Sequence, residues 1–136
     1  MFVCSGNSCR SQIAEGFARA SGVEAYSAGT DPAGYVHPLA VRVMAEEGID
    51  ISRHTSKRLD LNLAQTMDAV VTVCGEADQT CPVISHVNRV HWPIPDPAKA
   101  TGTQEEILSV FRAVRDDIAR RVNEFLEGRT ANRGSK

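Results

Sequence analysis

The chain has 136 residues, 42% of them apolar, and a formal net charge of −2 at pH 7. That length supports one globular domain with a real core and is cramped for two. No basic excess marks nucleic acid as a partner, and no apolar run approaches the ~18 residues of a membrane span; without a signal peptide, a cytoplasmic location is expected.

In chain order, apolar Phe2-Val3 ends a first strand at Cys4. The loop Cys4-Ser5-Gly6-Asn7-Ser8-Cys9-Arg10-Ser11 then opens a helix with Ile13, Phe17 and Ala20 on one stripe. A strand, a small-residue loop and a helix start make an anion site. The amides of Ser5, Gly6, Asn7, Ser8 and Cys9 converge as a nest, the helix end adds its dipole, and Arg10 closes the cradle with a charged fork. The Cys-x5-Arg pattern alone says little, and the missing Gly-Lys-Ser/Thr ending argues against a nucleotide loop. A free thiol titrates near ~8.5, so a thiol nucleophile must fall by ~2, about 3 kcal/mol of preference for the thiolate. A helix end supplies at most ~2 kcal/mol, which leaves a share to Arg10, the loop amides and the Ser11 hydroxyl. The first strand is shorter than the usual ~5 to 6 residues, so the true start is expected upstream of Met1.

Further along, Val23 to Ser27 reads as a strand, Asp31 to Tyr35 as a loop, and Pro38 to Gly48 as a helix. Ile49 and Ile51 lead into a polar connection, Ser52 to Lys57, before a short helix over Leu59 to Met67. Val70 to Val73 is a buried strand ending at Cys74, and Val87 to His91 is a fourth. Prolines keep Trp92 to Pro97 irregular. Thr103 and Glu106 form a capping box for a helix that buries Ile107, Phe111, Val114, Ile118, Val122 and Phe125. The polar stretch from Gly128 is expected to fray. The alternation predicts an α/β fold: a single three-layer domain over residues 1–127, with a four-stranded parallel sheet between helices and a flexible tail over 128–136.

Ligands of open parallel sheets bind beyond the carboxyl ends of the strands, so Cys4 and Cys74 face one crevice. Asp96 follows the fourth strand in a proline-held loop and can serve there as general acid, or be an ordinary turn aspartate. Cys74 and Cys81 are seven positions apart. If the stretch between them is helical, their Cα atoms lie about 10.5 Å apart, whereas a disulfide needs less than ~7 Å. Joining them requires unwinding, for which Gly75 and Pro82 are suitable flanks; otherwise they are two unrelated cysteines. Cys9 lines the pocket or packs beneath it. The cysteine spacings are unlike zinc pairs, and His37, His54, His86 and His91 show no ligand spacing, so no metal and no bound cofactor are expected.

These residues together resemble the thioredoxin-coupled arsenate reductases, which share the low-molecular-weight tyrosine phosphatase fold. The likeness covers Cys4 through Gly16, Tyr26-Ser-Ala-Gly29, Ile49 through Ser52, His54-Thr-Ser56, Val70 through Cys74, Cys81-Pro82, His91-Trp92 and Asp96-Pro-Ala98. The phosphatases typically carry proline where Gln12 stands and an aromatic where Ala98 stands, and lack this cysteine pair. The resemblance implies that Cys4 attacks arsenate held by the loop amides and Arg10, with Ser11 supporting the thiolate and Asp96 protonating the departing hydroxyl. Cys74 then attacks Cys4, releasing arsenite, and Cys81 attacks Cys74, leaving an exposed Cys74–Cys81 disulfide for thioredoxin. It also implies arsenic detoxification, a monomer, and a weak phosphatase side activity. Some relatives bind potassium through residues matching Asn7, Glu15 and Ser27 plus an aspartate where Lys57 stands, so the Lys57 ammonium replaces the ion. The alternatives are a low-molecular-weight tyrosine phosphatase, with no need of Cys74 or Cys81, and a redox or oxyanion sensor, with no need of Asp96.

Overall fold

The computed structural model describes residues 1–81 and 87–134. Pro82 and His86 lie outside them. The elements are β1 (Phe2–Cys4), α1 (Arg10–Ala20), β2 (Ser27–Gly29), α2 (Pro38–Ala45), α3 (Leu61–Ala64), β3 (Ala69–Thr72), α4 (Gly75–Thr80), β4 (Asn88–His91), a 3₁₀ turn (Pro97–Lys99) and α5 (Gln104–Gly134). The strands pair in parallel in the order β2-β1-β3-β4. The steps β1-α1-β2 and β3-α4-β4 run in opposite directions along this sheet, so right-handed crossovers place α1 and α4 on opposite faces. The direction in which successive connections step along the sheet switches between β1 and β3, which opens a crevice beyond their carboxyl ends.

Burial on both faces explains the apolar runs of the inner strands. Val3, Val70, Val71 and Val73 are fully enclosed, together with Ile13 of α1, Met44 of α2, Ile51, and Leu108, Phe111 and Ile118 of α5. Thr103 and Glu106 exchange the predicted reciprocal capping bonds, each at 3.2 Å. Glycine is required where α1 meets its neighbours: a Cβ on Gly16 would lie 2.8 Å from Met44 Cε.

Three expectations shift. The second strand is Ser27–Gly29, not Val23 to Ser27, because β1 pairs Phe2 with Ser27 and Cys4 with Gly29 and so has no edge for the earlier residues. The helix expected over Leu59 to Met67 contracts to Leu61–Ala64, started where the Asp60 carboxylate accepts from Asn62 N and Leu63 N. Helix α5 runs on past Gly128, where the apolar period ends, as far as Gly134.

α2 is tied to α5 by charge. Arg112 donates to Glu46 at 3.0 and 2.8 Å, and Arg115 donates to Glu46 Oε1 at 2.7 Å and to Val43 O at 3.0 Å. The Arg112 hydrogen bonds, more than those of Arg115, draw the Glu46 carboxyl down from 4.5 to about 2. A lowered carboxyl stabilises the fold above its unfolded pKa and loses that contribution as pH falls through the folded one. Glu46→Gln should therefore melt below the unsubstituted chain at neutral pH, with the gap closing between pH 4.5 and about 2. Melting curves across that range check this; a constant gap would show that charge is not the cause.

Candidate active site

Cys4 ends β1 and Cys74 follows β3, on neighbouring strands whose last contact is Val73 N to Val3 O at 2.8 Å. Both cysteines line one cleft of about 520 Å³, with Ser5, Gly6, Ser8, Cys9 and Arg10 on its loop side and Ile94 and Asp96 across from them. This is the crevice expected from strand order.

Cys4 is 2% exposed, and its sulfur is held by Asn7 N at 3.2 Å and Ser11 Oγ at 2.9 Å. The proton positions follow from the surrounding donors. Asn7 Oδ1 accepts from Lys57 N and Gln12 Nε2, so its Nδ2 must be the donor to Ser11 Oγ at 2.8 Å and Ser27 Oγ at 3.0 Å. Ser27 in turn donates to Glu15 Oε1 at 2.6 Å. Ser11 Oγ accepts from Asn7 and keeps its own hydrogen available for the sulfur, the direction that would support a thiolate there. Asn7 takes a positive φ of 48°, tolerable for asparagine, and its fully buried side chain points behind the loop. Of the six loop residues expected to hold the anion, Asn7 thus contributes its amide to the sulfur, while the other five line the cleft.

Arg10 opens α1, donates Nη1 to Ile94 O at 3.0 Å, and places Nη2 3.7 Å from Asp96 Oδ2. Asp96 starts the 3₁₀ turn, accepting from Ala98 N at 3.0 Å; it is the predicted turn aspartate and also faces the cleft. Cys9 lines the cleft, but burial pushes its thiol up to about 12, so it stays protonated and does not compete with Cys4.

All four cysteines are reduced thiols. Residues Gly75–Thr80 are helical, with Cys74 Sγ accepting from Ala77 N at 3.4 Å as the cap and Cys81 just past the end. The exposed outer pair implied by the resemblance is not exposed in this state. Cys74 and Cys81 are 4% and 5% accessible, and burial raises the Cys81 thiol against the opposing pull of Arg89. His37 takes a capping role, accepting from Leu39 N at 3.1 Å and resting on Phe111.

The residues read as a polar connection form the back wall of the loop. Gln12 Nε2 donates to Asn7 O and Thr55 O, Gln12 Oε1 meets His54 Nδ1 at 3.0 Å, and Ser56 Oγ donates to Gly6 O at 3.0 Å. Gly29 closes the other side, where an added Cβ would meet Ser5 O at 2.6 Å. Sequence reasoning missed Gln12, Ser56 and Gly29 as supports. A buried glutamine beside the apolar stripe of α1 was the available sign.

Glu15 is 3% exposed and faces Arg19 Nε at 3.0 Å, His54 Nδ1 at 3.5 Å and Lys57 Nζ at 3.9 Å. Its charge is already met by cations of the chain. Activity and melting temperature should therefore be equal in potassium and sodium salts at matched ionic strength; a clear gain in potassium would overturn this reading of Lys57.

The model of the low molecular weight phosphotyrosine protein phosphatase family matches residues 1–134. The chain belongs to that family. Within it, the chain groups with the arsenate reductases: it is 51% identical to that of Halalkalibacterium halodurans and 48% to that of Bacillus subtilis, each over 93% of both chains. Among solved structures, an arsenate reductase in a phosphate-binding state superposes with a TM-score of 0.72 at 35% identity, covering 94% of this chain and 95% of that one. A thioredoxin-dependent arsenate reductase of Corynebacterium glutamicum gives 0.76 at 27% identity, covering 96% of this chain and 61% of that longer one.

Proposed function

We propose that this arsenate reductase works as a three-sulfur relay, an assignment carried by the placement of Cys4 and Cys74 in one cleft at the ends of adjacent strands. The loop amides and Arg10 hold the arsenate oxyanion, and the Cys4 thiolate attacks arsenic while Asp96 hands a proton to the departing hydroxyl, which leaves as water. The Cys74 thiolate then attacks the Cys4 sulfur. A sulfur–sulfur bond forms, the sulfur–arsenic bond breaks with its electron pair staying on arsenic, and arsenite departs. The two electrons come from the two thiols. The Cys81 thiolate next attacks the Cys74 sulfur, expels the Cys4 thiolate and leaves Cys74–Cys81 for reduction by the dithiol of thioredoxin.

Every residue this needs comes from one chain, so we assign a monomer. No helix among the described residues is long and apolar enough to cross a membrane. Thiols that must return to the reduced state after each cycle suit a cytoplasmic setting and arsenic detoxification. The same cradle of Cys4, Arg10 and Asp96 supports slow phosphoester hydrolysis as a side reaction, which should be insensitive to loss of Cys74 or Cys81. Arsenate-dependent NADPH oxidation, run with thioredoxin and its reductase and in parallel with a glutaredoxin system, tests the reading. Turnover with thioredoxin is expected, and none with either donor would remove it.

A further inference from the structure

Helix α4 lies between the two outer sulfurs of the relay, yet its own sequence gives it little reason to be wound. It has six residues and begins with glycine, well below the ~12 residues at which an isolated helix becomes even marginal. Besides the burial of Ala77 and the two flanking cysteines, its support is a polar cluster that no step of the relay uses. Thr72 Oγ1 on β3 donates to Asp78 Oδ1 at 3.0 Å, closer than Val90 O at 3.4 Å. With that hydrogen spent, His91 Nδ1 at 3.0 Å is the donor to Thr72. Arg89 on β4 reaches over the last turn of α4, donating Nη2 to Asp78 O and to Asp78 Oδ1 and Nη1 to Cys81 O at 2.8 Å. The guanidinium thus satisfies carbonyls at the negative end of the helix dipole and pairs with a carboxylate in the same turn.

We propose that Arg89 and Asp78, backed by Thr72 and His91, form a clasp that keeps α4 wound while Cys74 and Cys81 are reduced, and that its opening governs formation of the Cys74–Cys81 disulfide; the second half rests on the relay. The two states exclude one another. In the wound state Asp78 N bonds Cys74 O at 3.1 Å and Cys81 N bonds Ala77 O at 2.8 Å. A helical separation of about 10.5 Å must shrink below ~7 Å for the sulfurs to join, which pulls Cys81 O and the Asp78 turn away from Arg89. The clasp favours the dithiol, so its loss favours the disulfide. Arg89 and Asp78 are positioning residues.

The test uses the full chain with Cys4→Ser, which isolates the outer pair, with and without Arg89→Gln. At equilibrium with dithiothreitol, Cys74 and Cys81 pass two electrons and two protons to oxidised dithiothreitol and become joined. Arg89→Gln should raise this equilibrium constant ~10-fold and speed amide exchange at Asp78 and Cys81 by a similar factor, leaving Ile13 in α1 unchanged. Arg89→Lys should recover only part, because an ammonium cannot bridge three acceptors. Thr72→Val, nearly isosteric, should shift both readouts the same way and guards against an arginine variant that fails to fold. If Arg89 merely stabilises the fold, its loss would lower the melting temperature of dithiol and disulfide forms alike and leave the equilibrium constant where it was, which would overturn the proposal. Unchanged exchange at Asp78 and Cys81 would also overturn it. If the pair forms no disulfide even with Arg89 present, the relay fails, while exchange still decides whether the clasp exists.

Discussion

Cys81→Ser is expected to abolish thioredoxin-driven turnover, a loss of ~10³-fold or more, while leaving one arsenite released per chain in a single round. The asymmetry follows from where the sulfurs sit. Cys4 and Cys74 share the cleft, and in the proposed relay they complete arsenate reduction between them. The resulting Cys4–Cys74 disulfide joins two residues only 2% and 4% accessible, out of reach of the active site of another protein. Cys81, just past α4, is the sulfur that can carry the oxidation outward when the helix opens. After one round, thiol titration of Cys81→Ser should find Cys9 alone still reduced, because the other two thiols are joined. Cys74→Ser should fail earlier, yielding no free arsenite and holding arsenic on Cys4. Sustained turnover by Cys81→Ser with thioredoxin would mean that the buried disulfide is attacked directly and that the third sulfur is dispensable.

The catalytic loop was legible because its instructions are local. A strand end, small residues and a helix start lie within Phe2 to Ser11, and the bonds to the Cys4 sulfur follow from that run. What supports the loop was not legible, since Gln12, Ser56 and Lys57 reach their partners across 43 to 50 positions of sequence. Nothing in Ser52 to Lys57 marks it as the wall of an anion site; its pattern is that of any polar connection. The second strand was misplaced for a related reason. Val23 to Ala25 have strand-like composition, but the register with the short β1 decides which residues find partners. Asp78 and Arg89 likewise carry no local mark, and they come together only when β4 is set beside β3 with α4 next to them. In each case a long-range pairing overrides or supplies what local pattern lacks.

Arg10→Lys separates charge from geometry at the cradle. The guanidinium is only 11% exposed and has one hydrogen bond to Ile94 O, which leaves further donors of a planar fork for an oxyanion between it and the loop amides. Lysine keeps the positive charge but offers a point donor on a flexible stem, so it cannot hold two oxygens of a tetrahedral centre in fixed directions. Loss of one such preorganised donor typically lowers the rate by ~10²- to 10³-fold, about 2.7 to 4 kcal/mol of transition-state stabilisation. We expect kcat/KM for arsenate to fall by that factor, with kcat taking the larger share, because the charge that attracts the anion remains while its alignment with the Cys4 sulfur is lost. The melting temperature should change little, since the fold loses a single bond to Ile94 O and a 3.7 Å contact with Asp96. A loss confined to KM would show that Arg10 serves attraction alone, and would move the burden of orienting arsenate onto the amides of Ser5 to Cys9.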